Sequence, residues 1–406
     1  MKKSIISIFL FLFFIVNINA SETNLSSQRY ILYNLNDNEV IDAKKEHERV
    51  SIASLTKIMT VIVAIENIKD YNAKVKITSP MVDTIAWDVV KAGFKKGQVV
   101  TYNDLLYGAI LPSGADAVNA LAISISGSEA KFVSLMNKKV KELGLKDTSF
   151  SNVVGLYGKN NYSSAYDMAQ ILMYALKNEK FKSVFETKQY KLSTGKVVNS
   201  TLSYFNKKLN KDISFIKGAK TGYIEEALYC LASTASLDGV DYLFVSLNAK
   251  TNTDHINDHI TEYKYFSSNY GYKNVVSKTD KMLTLKVKYS KEKVVNIYPN
   301  IEIEKYLKND FTKEDLVYSY DGIYESSYFD NPFYLGNMSV SYNDKLMGKL
   351  ELYNEKELHF DYIEFFKDKK IYFDLFLLIL LIIAYIVDVK TEKTYNLKVD
   401  NDVIKS

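Results

Sequence analysis

The sequence predicts an α/β domain, a mixed sheet with helices, followed by a small all-β domain and a C-terminal transmembrane helix. Three observations predict it. Between Arg29 and Gly271, strand-like segments come first, helical ones follow, and strands return, so the sheet draws on both ends of the segment. From Leu283 to Leu352 the apolar residues recur with period two in short runs. From Ile371 to Val387 the chain is nearly all apolar. With 406 residues there is room for two domains and a sizeable core. The formal charge of +4 is small for this length and does not fit a nucleic-acid binder. The single cysteine, Cys230, excludes an internal disulfide. Neither a Gly-rich phosphate loop nor a zinc-spaced Cys/His pattern occurs, so no cofactor and no metal is expected.

Residues 1–20 join a basic start (Lys2, Lys3) to an apolar run and end at Ala20, the pattern of a secretory signal. Residues 21–275 are expected to form the α/β domain. Tyr30–Tyr33 and Glu39–Ile41 flank a turn rich in Asn and Asp, which reads as a hairpin. A helix carrying Ser54 follows, then mixed loop and short strand from Lys74 to Thr101. Helices are expected over Asp104–Leu111, from about Asp116, over Phe132–Leu143 and over Tyr166–Leu176. Lys220–Ser236 and Val240–Leu247 read as two strands, and Asp254–Ser268 as the closing helix. A linker is expected near Asn274–Asp280. Residues 276–366 read as the β-rich domain, with a turn at Asn343-Asp344. The span is placed at 371–387, with residues 388–406 as a cytoplasmic tail. Lysines lie on both sides of the span, so the exported start, not charge bias, sets its orientation.

Ser54 and Lys57 are three apart and share a helix face. A serine hydroxyl needs a neighbour to take its proton, and a lysine walled in by apolar residues has its pKa lowered enough to do so. Taken alone the pair is common; a capping serine and a solvated lysine explain it as well. Two further motifs follow in order: Ser113-Gly114-Ala115 and Lys220-Thr221-Gly222. Serine-x-x-lysine, a serine triplet and Lys-Thr-Gly together mark β-lactamases and penicillin-binding proteins. In that chemistry Ser54 is the nucleophile, Lys57 the general base and Ser113 a proton relay. Lys220 adds positive charge, Thr221 binds a carboxylate, and Gly222 clears the strand edge for substrate. The backbone N–H groups of Ser54 and Tyr223 would form the oxyanion site.

The chain here resembles the serine D-alanyl-D-alanine carboxypeptidases, the low-molecular-weight penicillin-binding proteins. Arg49–Thr60 looks like that family's nucleophile segment, Leu143–Asn152 with Gly155-Leu156 like the stretch between its second and third motifs, and Ser163–Ala169 like the segment after that. The resemblance covers residues 28–272 and, weakly, Pro332–Gly336. It implies a β-lactamase/transpeptidase-like catalytic fold, a β-rich stalk and a membrane anchor. It also implies removal of the terminal D-alanine from peptidoglycan stem pentapeptides, with β-lactams as covalent inhibitors. Two departures stand out. Ala115 takes the place of the family's asparagine, with Asn119 one turn on as a partial substitute. Lys250 stands where a substrate-facing arginine is common. The competing functions are a cell-wall binding module that lost catalysis at Ala115, and a β-lactamase. The latter needs a deacylating glutamate, and Glu179 and Glu186 lack the context for one. His255 and His259, with Asp254 and Asp258, fit a metal clamp or a solvated helix face.

Overall fold

The computed structural model describes residues 23–403; the expected signal segment lies outside them. The chain divides into two units between Ser268 and Asn269. In the first, Asn and Asp at positions 36–38 turn β1 (Arg29–Asn34) back onto β2 (Glu39–Lys44). Then come α1 (Thr56–Asn67), β3 (Lys74–Lys76), α2 (Ser79–Val82), β4 (Val99–Thr101), α3 (Tyr102–Ile110), α4 (Ala115–Ser126), α5 (Glu129–Glu142) and α6 (Ala165–Leu176). Next are α7 (Glu179–Glu186), β5 (Gln189–Lys191), β6 (Val197–Asn199) and α8 (Thr201–Leu209). The unit ends with β7 (Ile216–Ile224), β8 (Leu228–Leu237), β9 (Val240–Ala249) and α9 (Asp254–Asn269).

The five-stranded sheet has the order β2-β1-β9-β8-β7, so strands from both ends of the unit meet at β1 and β9. Every pairing in it is antiparallel; the mixture is of sheet with helix, not of strand directions. Residues 56–65 of α1 are all buried, so this helix runs through the core rather than over it. It packs against α3, α4, α5, α6 and α7.

The single strand expected over Lys220–Ser236 is two. The chain reverses at Glu225–Ala227, where Ala227 N–H donates to Ile224 O (3.2 Å) and Leu228 takes a left-handed φ of 52°. The aliphatic pattern runs on across this reversal and hides it; only the exposed pair Glu225-Glu226 marks the tip. Lys220-Thr221-Gly222 therefore lies in the second half of β7 rather than at its start. β7 is an edge strand of the sheet. Residues 177–219, for which the sequence reading gives no element, hold α7, α8 and the β5–β6 hairpin.

The second unit begins with β10 (Tyr270–Val276), β11 (Leu283–Lys288), β12 (Val294–Ile297) and β13 (Ile303–Lys308). It continues with β14 (Leu316–Gly322), β15 (Glu325–Ser327), β16 (Tyr334–Tyr342) and β17 (Lys345–Tyr353). β10 pairs antiparallel with β13, so the first half of the expected 274–280 linker is sheet, and the division falls earlier than 275/276. Alternate residues of β11, Leu283, Leu285 and Val287, are buried with Val340, Leu350 and Leu352. Asn343 and Asp344 both take positive φ, as a two-residue hairpin turn requires. The unit closes with α10 (Tyr362–Asp368) and α11 (Lys370–Val403). Lys370–Thr391 is long and apolar enough to cross a membrane and contains the expected span.

The loop before β4 is held by Asp116 of α4. Its buried carboxylate accepts from the N–H groups of Ala92 (2.7 Å), Gly93 (2.7 Å) and Phe94 (2.8 Å). Asp116→Ala leaves buried donors without an acceptor and is expected to destabilise the first unit by about 3 kcal/mol. Thermal unfolding checks this; an unchanged midpoint would mean that the loop is fixed by other contacts.

Candidate active site

Ser54 sits in a single 3-10 turn, Ala53–Leu55, immediately ahead of α1. Ala53 is held at φ 47°, a conformation that costs a non-glycine residue about 1–3 kcal/mol. What holds it is close packing. A Cβ at Gly155 would stand 1.9 Å from Ala53 O. A Cβ at Gly222 would stand 3.0 Å from Ser54 N. Gly222 thus keeps a side chain out of the Ser54 turn as well as off the strand edge.

Lys57 is 1% exposed, with Nζ 2.7 Å from Ser54 Oγ and donating to Val154 O (2.8 Å). Burial lowers its pKa to about 7, against the opposing pull of the Asp116 charge. Near neutral pH much of this amine is uncharged and able to accept a proton. Ser113, on the turn between α3 and α4, is also at positive φ, 64°. It meets Lys220 of β7, whose Nζ donates to Ser113 Oγ (2.8 Å) and to Thr221 O (2.6 Å). Lys220 is fully buried; burial first, and the nearby Lys57 second, push its pKa well below the usual lysine range. Ser54, Lys57, Ser113, Thr221, Gly222 and Tyr223 all line one cleft of about 670 Å³. Tyr223 stacks on Tyr229 with ring centroids 4.4 Å apart.

Three expectations are corrected by geometry. Lys250 is exposed and outside the cleft lining; its N–H donates to Ser26 Oγ (3.2 Å). β9 ends at Ala249, and Asn252 and His255 form the cleft wall beyond it. Asn119 does not stand in for the missing amide: it is absent from the lining and its Oδ1 has no hydrogen-bond partner. Ala115 is fully buried, its N–H donating to Val90 O (2.9 Å). The α9 face offered by the sequence as a metal clamp or a solvated face is buried at His255, Asp258, His259 and Glu262. Asp258 accepts from Ser27 N–H (2.8 Å) and Ser27 Oγ (2.5 Å), and His259 lies against Ser233 Oγ (2.6 Å) and Ser246 Oγ (3.1 Å). Among the described residues, no group of three or more His, Cys, Asp or Glu is placed to hold a metal ion. Cys230 is buried with its thiol pushed up to about 12, so it is a core residue and no nucleophile.

The cleft also contains residues that sequence reasoning missed. Thr201, at the start of α8, faces Thr221 across 3.4 Å between hydroxyl oxygens. His255 reaches the cleft through an aromatic wall, 5.1 Å from Phe205 and 5.6 Å from Tyr229 between ring centroids. Burial lowers its pKa to about 4, against the opposing pull of a backbone hydrogen bond with Thr251, so the ring is neutral. The spacing to His259 drew attention to it as a metal ligand; nothing local revealed that it faces the cleft.

A strained serine turn, a buried lysine beside it and a second lysine–serine pair on a sheet edge define a serine acyl-transfer enzyme of the penicillin-binding class. A family profile described as D-alanyl-D-alanine carboxypeptidase matches residues 16–251. The chain is 33% identical over 285 residues to the D-alanyl-D-alanine carboxypeptidase DacF of Bacillus subtilis, covering 68% of this chain and 71% of that one. It is 38% identical over 212 residues to a D-alanyl-D-alanine carboxypeptidase of Streptomyces sp. K15, covering 48% of this chain and 72% of that one. Penicillin-binding protein 5 of Haemophilus influenzae superposes over 84% of this chain and 99% of its own, with TM-score 0.62 and 22% identity. The chain belongs to the D-alanyl-D-alanine carboxypeptidase family.

Because Lys57 accepts a proton only when neutral, and that form grows as pH rises through about 7, the acylation rate with a penicillin is expected to rise over this range and level off above it. A rate that keeps climbing into the ordinary lysine range would remove Lys57 as the base. Gly155→Ala should drive Ala53 and Ser54 out of place, lowering the unfolding temperature and abolishing penicillin labelling together. Labelling at the wild-type rate would show that the nucleophile turn does not depend on that contact.

Proposed function

We propose that this chain is a membrane-anchored serine carboxypeptidase that removes the terminal D-alanine from peptidoglycan stem pentapeptides. The observation that carries the reading is the 2.7 Å approach of Lys57 Nζ to Ser54 Oγ inside the cleft. Ser54 Oγ attacks the carbonyl carbon of the penultimate D-alanine while Lys57 takes the hydroxyl proton. The oxyanion is received by the backbone N–H groups of Ser54 and Tyr223. Ser113, polarised by Lys220, passes a proton to the leaving D-alanine nitrogen, and the C–N bond breaks. Water then hydrolyses the ester on Ser54. Thr221 and the neutral His255 receive the substrate's carboxyl end by hydrogen bonding. β-Lactams acylate the same serine. The basic-then-apolar start of the chain supports a catalytic unit on the outer side of the membrane.

The structure gives no particular support to the binding-module reading. The Lys57 amine is held by Val154 O, so Ala115 does not leave it unsupported. Glu179 and Glu186 lie on α7, outside the cleft lining, where neither serves a β-lactamase's deacylation.

The test is labelling of the full-length chain in membranes with a fluorescent penicillin, with Ser54→Ala as control, alongside D-alanine release from a peptide ending in D-Ala-D-Ala. Labelling with release is expected. Labelling without release would point to another acyl donor, and neither would overturn the mechanism. Lys57→Ala is expected to lower release roughly a thousandfold while leaving the unfolding temperature unchanged or higher, since it removes a buried amine. Retained activity would assign the proton transfer elsewhere.

A further inference from the structure

The second unit does not end in a tether. Only Lys369 separates α10 from the apolar helix α11. α10 is fastened to the turn after β11: Asp361 N–H donates to Tyr289 O (3.0 Å), and Tyr289 N–H donates to Glu364 Oε2 (2.7 Å). Tyr289 OH donates to Asp368 Oδ2 (2.5 Å), and Lys293 bridges Asp361 (2.5 Å) and Glu364 (2.7 Å). One residue of helix rises about 1.5 Å. Wherever α11 enters a bilayer, this end of the β unit lies at that level.

The same end exposes a contiguous aromatic surface. Phe329, between β15 and β16, has four ring neighbours: Tyr289 (6.0 Å), Tyr328 (5.5 Å), Phe360 (5.2 Å) and Phe365 (5.5 Å). It is still 63% exposed. On α10, Ile363 is 69% and Phe366 48% exposed. Phe366 packs edge-on against Phe373 of α11 (5.5 Å), so the rings run without a break from the β unit into the apolar helix. Exposed apolar patches of this kind mark interaction sites, and aromatic rings favour the headgroup level of a bilayer.

We propose that this end cap, with Phe329, Tyr362, Ile363 and Phe366 outermost, is seated in the lipid headgroup interface, so that the β unit stands directly on the membrane. The proposal rests on α11 being the span. Lys293 is neutralised by its two carboxylates, and Lys367, Lys369 and Lys370 can extend their stems along the apolar surface with the ammonium in water. The seat is therefore made by aromatic rings, and a zwitterionic bilayer suffices.

The experiment uses the full-length chain with its only tryptophan removed (Trp87→Phe), reconstituted into phosphatidylcholine vesicles whose acyl chains are brominated near the headgroup end. A single tryptophan is then placed in turn by Phe329→Trp, Ile363→Trp, Phe366→Trp, Leu380→Trp in α11, and Leu346→Trp. Leu346 lies by the Asn343-Asp344 turn, about 25 Å along the β16–β17 hairpin from Tyr334. The three cap tryptophans are expected to lose most of their emission to bromine, equally with and without phosphatidylglycerol, while that of Leu346→Trp is kept. Quenching for Leu380→Trp without quenching at the cap would overturn the seat and leave the span. No quenching for Leu380→Trp would overturn the span and the seat with it. Cap emission shifted to the blue but unquenched would mean that a second copy of the chain covers the patch, and would also overturn it.

Discussion

A lysine amine buried in an apolar core, with no carboxylate in direct contact, is the constraint around which the first unit is arranged. Desolvation makes its charged form costly, and that cost is what turns an ordinary lysine into a base near neutral pH. The surroundings preserve the state. α1 is buried along ten consecutive residues, so water does not reach the amine from below. Val154 O and Ser54 Oγ satisfy it by hydrogen bonds that either protonation state can keep. A salt bridge at the same place would hold the lysine charged.

The Ser54 turn and Ser113 share a second device. Ala53 and Ser113 both hold left-handed backbone without being glycine, and around Ala53 the packing is close. The glycines that matter here, Gly155 and Gly222, act by leaving space for that packing. The edge strand β7 then closes the cleft: its Lys220 ties Ser113 from one side while Gly222 lies against the Ser54 turn on the other. Three short motifs spread between residues 54 and 222 thus become one site through a single strand.

α9 shows how polar groups enter a core without forming a site. Asp258 and His259 are buried yet consumed by serine hydroxyls and backbone N–H groups, which leaves no open donor set for a metal. His255, one turn earlier on the same helix, is the one that borders the cleft.

The sequence by itself determined the elements and the chemistry: the order of strands and helices, the apolar C-terminal helix, and the Ser54–Lys57 pair with its two companion motifs. These are local patterns, written in three- and four-residue spacings and in periods of two and 3.6. It did not determine the reversal at Glu225-Glu226, because an aliphatic pattern continues across it. It also left α7 and α8 unread, and with them Thr201 as a cleft residue. Lys250, Asn119 and the α9 histidines were placed from chain position alone, and chain position does not say which way a side chain faces. Only the tertiary structure decided that Lys57 is held by Val154 O in the absence of an amide at Ala115, and that the cleft wall after β9 belongs to His255. Those contacts join residues far apart in the chain, so no local spacing records them.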